Sequence, residues 1–379
     1  MRTRTLLMLG VSVAVTAVVV APACAWGSGF AVTEYDAAGL GRAFAGTAVV
    51  IAASSLSTNP AALPDRATLS ASLHGLHNDI QPESAGVDAL IPAAYGAWHG
   101  LGVGVYAPFG LATDYPSDWS GRYSALHSEI QSARVQVAGG IEVQPGLRLG
   151  AGVFVQRFRA ELSQAYPVIP GRLDAEVTVD GEDTGLGWTV GGLWAPDPGL
   201  TLGLAFASAV DHQLRGHADL PSGRASTRVD LTTPETLSLG LSWQVRPAWR
   251  VLGGLAWTRW SRFESLEIRL SNGLELSEEH QWRDTWRASL GAEHERGPWT
   301  LRAGLAWDQS PIRHDAHRYP RLPDADRIWT TLGLGYAWPH WRLDLGYAHL
   351  WFPERSGEHP AVSYSGSTDI LALGVTRTW

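Results

Sequence analysis

The chain has no lysine and one cysteine, Cys24. All 29 of its basic residues are therefore arginine, against 37 acidic ones, and the formal net charge is -8. An acidic excess argues against a nucleic-acid partner, whose phosphates require the opposite sign. The missing lysine points to no mechanism by itself. Met1 to Ala25 begins with Arg2 and Arg4, continues as an apolar run from Leu6 to Val20, and closes on Ala23-Cys24-Ala25, the small-x-small pattern of a signal-peptidase site. Cleavage there removes the only cysteine, so the processed chain from Trp26 has no disulfide, thiolate metal site or thiol nucleophile. The alternative, a lipoprotein acylated on Cys24, lacks the usual leucine in Ala21-Pro22-Ala23. After the leader no stretch approaches the ~18 continuous apolar residues of a membrane helix, so a membrane-spanning form has to be a closed β-barrel. The mean hydropathy of -0.06 is blind to that possibility.

From residue 65 onward, short turns alternate with longer polar connections. The short ones are His99-Gly100, Pro145-Gly146, Pro196-Asp197-Pro198-Gly199, Pro247-Ala248, Gly297-Pro298 and Pro339-His340. The long ones are expected near 75–89, 110–125, 162–184, 211–230, 271–281, 309–326 and 353–366. Strands that run up and down place alternate connections on opposite sides of a membrane, and this sorting is that of an outer-membrane barrel. A secreted β-sandwich, the soluble alternative, has no reason to sort its connections. Between the turns apolar side chains recur at period two, as in Leu237, Leu239, Leu241, Trp243 and Val245, which alternate with Ser238, Gly240, Ser242 and Gln244. Many of the 18 tryptophans end such stripes, the position of interfacial girdles. The count predicts an all-β fold, a transmembrane antiparallel barrel of about fourteen strands over 65–379, with its ends meeting on the periplasmic side. A barrel that wide is not filled by its own wall residues.

Residues 26–64 do not follow the strand rhythm. They are rich in Gly and Ala, and are expected to form a hatch inside the lumen, where small side chains allow close packing. Gly39-x-Gly41 has Phe44 where a dinucleotide fingerprint needs glycine, and no βαβ unit follows.

At Gly39-Leu-Gly-Arg-Ala-Phe-Ala-Gly46, Asn59-Pro-Ala61, Phe109-Gly-Leu-Ala-Thr113, Trp260-Ser261, Trp282-Arg-Asp-Thr-Trp-Arg287, Asp308-Gln-Ser-Pro311 and Leu322-Pro-Asp-Ala-Asp-Arg-Ile-Trp329, the chain resembles the FadL/TodX (OmpP1) family of outer-membrane transporters. The resemblance implies passive uptake of long-chain fatty acids or other hydrophobic molecules. Capture would occur at extracellular loops, followed by an internal site behind a hatch carrying Asn59, Pro60 and Ala61, and lateral release through a kinked third strand. The sequence itself places Ala107-Pro108-Phe109-Gly110 in that strand, and a proline cannot complete a ladder. Pro108 either ends the strand at the rim or opens the wall; the resemblance favours the second.

For a carboxylate head, the resemblance points to Arg159 and Arg283, because an arginine fork donates to both oxygens. Phe30 and Phe44 are candidates for the tail site. The connection 162–184 is short for a capture groove, Arg377 stands where an apolar residue is usual, and the chain ends in Trp379 instead of Phe. The expected partners are a hydrophobic small molecule, outer-membrane lipid and lipopolysaccharide, and the barrel-assembly machinery, for a monomer without a cofactor. Within the family the alternative is an aromatic-hydrocarbon transporter. From another class it is a lipase-type barrel, built on a pair such as His349 with a serine. No enzyme motif is present, and His74-x-x-His77 and His314-x-x-His317 read as surface histidines before metal ligands. Asp324 and Arg327 read as a loop-bracing ion pair.

Overall fold

Lipid outside and a filled lumen inside dictate the wall. The computed structural model describes residues 28–50, 52–169 and 173–379; the expected leader and Trp26 lie outside them. One closed antiparallel sheet holds nineteen strand segments that make fourteen barrel strands. They are β1 (Thr68–Gln81), β2 (Ala89–Trp98), β3 (Leu101–Tyr106) continued by β4 (Gly110–Asp114), β5 (His127–Gln144), β6 (Leu147–Ile169) and β7 (Leu173–Asp197). There follow β8 (Leu200–Ala207) with β9 (Val210–Leu220), β10 (Gly223–Thr233) with β11 (Thr236–Arg246), β12 (Trp249–Thr258) with β13 (Ser265–Leu270), and β14 (Glu275–Glu279) with β15 (Thr285–Arg296). The last four are β16 (Trp299–Asp308), β17 (Arg327–Trp338), β18 (Trp341–Glu358) and β19 (Ala361–Thr378). The barrel closes where β1 pairs with β19, from Thr68 opposite Thr378 to Gln81 opposite Ser365.

The alternation read from the sequence is the alternation of faces. Leu237, Leu239, Leu241 and Trp243 are exposed on the outside, as are Leu301, Leu305, Leu345 and Leu373. Trp98, Trp194, Trp243, Trp299, Trp338 and Trp379 ring the end that carries the short turns, and Trp188, Trp286, Trp307 and Trp351 ring the other. Arg377 fits the first ring because its guanidinium lies over Trp341 and Trp379, at 5.1 and 4.5 Å from the ring centroids.

Several expected loops are strand instead. The stretches 162–184, 211–230 and 353–366 are β-hairpins that prolong the wall, and 271–281 contains β14. Their residues keep the period of two, with small or apolar groups inward and charged groups outward, so pairing continues beyond the membrane. The connection 162–184 is thus neither a short loop nor a groove but a tall hairpin. Its flanks near the tip expose Tyr166, Val168, Ile169 and Leu173.

Residues 28–50 and 52–64 pack along the inner faces of the strands. They include one short helix, α1 (Ala37–Leu40), capped by the Asp36 carboxylate, which accepts from Gly39 N at 3.1 Å. Two kinds of contact hold the segment. Arg42 enters a buried charge network with Glu293, at 3.1 Å; Glu293 also binds Arg250 and Arg302, and Asp344 binds Arg302 and Arg342. Asn59 is fully buried: its Oδ1 accepts from Ala61 N at 3.0 Å, and its Nδ2 donates to Thr47 O at 2.9 Å and to Gly192 O of β7 at 3.2 Å. That close approach needs glycine in the wall. A Cβ on Gly191 would lie 2.0 Å from Asn59 Oδ1, and one on Gly203 would lie 2.4 Å from Thr47 O. Gly191→Val is expected to leave an assembled barrel with a displaced segment and raised conductance in planar bilayers. Unchanged conductance would show that this packing does not seal the lumen.

Candidate functional site

Near the end of the barrel that carries the tall hairpins, the start of the described chain is tied down by short polar side chains. Ser28 Oγ donates to Gln309 O at 2.7 Å, and Gly29 N donates to Asp324 Oδ2 at 3.2 Å. Asp324 also accepts from Ser310 Oγ at 2.8 Å and pairs with Arg327. Burial pushes the Asp324 carboxyl up to about 6 against the pull of Arg327.

This anchoring delivers Phe30 into an aromatic nest. Its ring centroid lies 4.7 Å from that of Trp260, 5.7 Å from Phe109, 5.9 Å from Trp282, 6.0 Å from Phe263 and 6.1 Å from Phe158. Phe30 is 2% exposed, so the protein's own ring fills the space between the others. Phe44 sits elsewhere. It folds back on Gly39 in a turn with φ +55° and packs with the cluster of Val32, Leu40, Ile91 and Trp329. The two phenylalanines do not share a pocket.

The third barrel strand is broken where Pro108 falls. β3 pairs with β5 up to Tyr106 opposite Arg134, and β4 resumes at Gly110 opposite Gln131. Pro108 therefore interrupts the strand and does not end it. Ser132 of β5 bridges the break: Phe109 N donates to its Oγ at 2.8 Å, and that hydroxyl lies 2.6 Å from Phe109 O. On the other side β2 pairs with β3 only from Ala94 to Trp98, which leaves Ala89–Ala93 without a strand partner on that edge. A bridge between Gly86 and Thr113 closes the slot above. Residues 30–32 occupy it, with Val32 N donating to Pro108 O and Gly110 N to Phe30 O, both at 2.9 Å, around an antiparallel bridge of Ala31 with Phe109.

The expected arginines are not in the lumen together. Arg159 shares the outward parity of Val153 and Val155, is exposed, and pairs with Glu161 at 3.0 Å, so its expected place beside a ligand head is corrected. Arg283 is half-buried in the extracellular connections, where Nε donates to Ser310 O at 3.0 Å and Asp326 lies 3.7 Å away. The lumen cation that sequence reading missed is Arg134. It is 8% exposed, stacked 3.7 Å from the Phe154 ring centroid and 5.9 Å from that of Tyr106, and donates to Gln156 Oε1 at 2.7 Å. Gln156 spends its amide N–H groups on His212 Nε2, at 3.0 Å, and Thr233 Oγ1, at 3.1 Å, which fixes its carbonyl toward Arg134. His212 Nδ1 then faces Asp183 at 3.3 Å. Among the described residues no carboxylate is within ion-pair distance of Arg134, and its Nε has no partner. Arg287, partly buried, also has no ion pair among the described residues; it stands opposite Asp308 on β16 and donates to Ala43 O at 3.0 Å.

The remaining motifs resolve simply. His74 is buried inside and His77 is exposed outside, on opposite faces of β1, and the rings of His314 and His317 stand 6.2 Å apart. No group of three metal-ligating side chains occurs among the described residues. His349, on the outer face, gives Nδ1 to Asp369 at 2.7 Å.

Comparison with known proteins gives this geometry a setting. A sequence model described as "Outer membrane protein transport protein (OMPP1/FadL/TodX)" matches residues 18–370. The long-chain fatty acid transport protein of Salmonella typhi is 27% identical, over 86% of this chain and 88% of its own. Outer membrane protein P1 of Haemophilus influenzae is 26% identical, over 89% of each. In fold, a FadL homologue of Pseudomonas aeruginosa superposes with a TM-score of 0.82 at 23% identity, over 92% of this chain and 99% of that one. The Pseudomonas putida toluene transporter TodX gives 0.73 at 17% identity, over 91% and 98%. The chain is an outer-membrane β-barrel and belongs to the OMPP1/FadL/TodX family of transport proteins.

Proposed function

We propose that the protein takes up long-chain fatty acids or similar amphiphiles with an anionic head by diffusion, and releases them sideways into the membrane. One observation carries the choice of ligand: Arg134, a buried cation without a counter-ion, faces the lumen one rung from the broken wall. Taking an unpaired charge out of water costs several kcal/mol, and a carboxylate arriving on a ligand offsets that cost. The aromatic nest continues from it along β6 through Phe154 and Phe158, so head and tail sites adjoin. The fatty-acid relatives agree with this reading.

In the proposed path the exposed apolar side chains near the tip of the hairpin joining β6 and β7 take the first hold. The tail then displaces Phe30 from among the aromatic rings. Because Phe30 and Val32 hold the edge of the broken strand by two backbone hydrogen bonds, their displacement also frees the slot between β2 and β4. The rest of the segment, residues 33–50 and 52–64, acts as a plug, with Asn59, Pro60 and Ala61 as its fixed end, and stays in place. The path uses no energy source and no catalytic group.

A second reading, transport of aromatic hydrocarbons, is favoured by the five aromatic rings around Phe30 and by the toluene transporters among the structural neighbours. Arg134 separates the two. Arg134→Leu is expected to weaken binding of a long-chain acid by about 1.5 to 3 kcal/mol, roughly tenfold or more, while sparing the alcohol of equal length. Equal losses for acid and alcohol would remove the carboxylate role.

The slot is tested by locking it. Ala31→Cys with Phe109→Cys joins two directly opposed residues in a chain that otherwise keeps no cysteine after leader removal, and such pairs lie within disulfide reach. Oxidised, this variant should assemble normally but take up labelled fatty acid poorly, with recovery on reduction. Uptake that ignores the redox state would rule the slot out as the exit.

A further inference from the structure

Uptake makes no use of the charged face that the wall presents outside the membrane. Val155 and Leu186 are opposed on β6 and β7 and are the last exposed apolar pair on these strands before the outer face turns polar. Above them one cross-strand row runs through five strands. Arg159 stands opposite Glu182, Glu182 opposite Arg215, Arg215 opposite Arg228, and Arg228 opposite Arg269. All four arginines are exposed, whereas Leu214, Val229 and Ile268 beside them are buried on the inner side.

Arg215, Arg228 and Arg269 thus place three cations side by side on strands about 4.8 Å apart, an arrangement that is destabilising between directly opposed residues. The carboxylates that offset it stand to the sides of the three arginines, not between them. Asp230, 3.5 Å from Arg228 and 3.2 Å from Arg269, and Glu267, 2.7 Å from Arg269, lie on the membrane side of the row. Glu275 is 3.8 Å from Arg269 at one end, and Glu182 and Asp180 flank the other. Arg215 reaches only Gln213; among the described residues no carboxylate is within ion-pair distance of it. On the next rung away from the membrane His217, Ser226 and Ser271 stand above the three arginines, and Glu161 and Asp180 stand at the end on β6 and β7.

We infer that this row binds the phosphate groups of a phosphorylated glycolipid in the outer leaflet. Planar arginine forks with hydroxyl donors beyond them suit phosphate oxygens. Height selects the lipid. Four residues separate Leu186 from Glu182, about 13 Å along the strand and somewhat less after barrel tilt. A glycerophospholipid holds its phosphate at the apolar edge, whereas a sugar headgroup carries phosphate farther out, level with the row.

The test is titration of the full-length protein in mild detergent with a purified bis-phosphorylated acyl disaccharide and with its dephosphorylated form, read by native mass spectrometry. The wild type is expected to prefer the phosphorylated lipid at least tenfold. Arg215→Gln, Arg228→Gln, Arg269→Gln is expected to lose that preference while taking up labelled fatty acid normally. Should the triple variant not assemble, Arg215→Gln alone, which breaks no ion pair, is expected to lose several-fold. Equal binding of the two lipids by the wild type, or an undiminished preference in whichever variant assembles, would overturn the inference.

Discussion

A wall of fourteen strands encloses more space than its inward side chains can fill, and the rest of the structure answers that constraint. The filling is the chain's own beginning, residues 28–64, whose backbone runs so close to the wall that glycine is required at Gly191 and Gly203. Dispersion and buried hydrogen bonds reward such contact only if the surfaces match, and Asn59 supplies the match at one end by satisfying three backbone groups at once. Arg42 supplies it at another, within a network in which four arginines share two carboxylates. In the proposed path a segment clamped in this way closes the straight route along the lumen, and a hydrophobic molecule inside leaves through the interrupted strand at Pro108.

The two charged arrangements inside the barrel differ in kind. Around Glu293 and Asp344 every charge has partners, so the network resists motion. Arg134 is buried and, among the described residues, lacks a counter-ion, and Gln156, His212 and Asp183 form a relay that orients the hydrogen-bond acceptor it does have. A buried charge held in place and left unpaired is costly in a rigid protein, and its cost is removed when a ligand supplies the opposite charge. Arg134 stands opposite Tyr106, the last paired residue before the break, so the proposed head site adjoins the proposed exit.

Much of this was legible in the amino-acid order because lipid enforces it. The turns at His99-Gly100 through Pro339-His340 and the stripes such as Leu237 to Val245 follow from one apolar face at period two. The same period would have placed Arg159 outside, since Val153 and Val155 precede it at equal parity, and would have placed Arg134 inside, between outward Ala133 and Val135. Family resemblance outweighed that simpler signal at Arg159. The tall hairpins resemble loops in the sequence because their outward residues, Asp211 to Asp219 among them, are polar where no lipid selects apolar ones. Contacts such as Asn59 with Gly192 leave no local trace, because 133 residues separate the partners.

The central claim is that a carboxylate completes Arg134 when Phe30 is displaced. A crystal structure with a long-chain acid brominated at its far end tests it directly, since anomalous scattering locates the tail independently of the head. The predicted result places the carboxylate oxygens within hydrogen-bond distance of the Arg134 guanidinium and the bromine among Phe109, Phe158, Trp260 and Trp282, with Phe30 moved away. An acid bound elsewhere, with Arg134 still bonded only to Gln156 and Phe30 still in its nest, would contradict it.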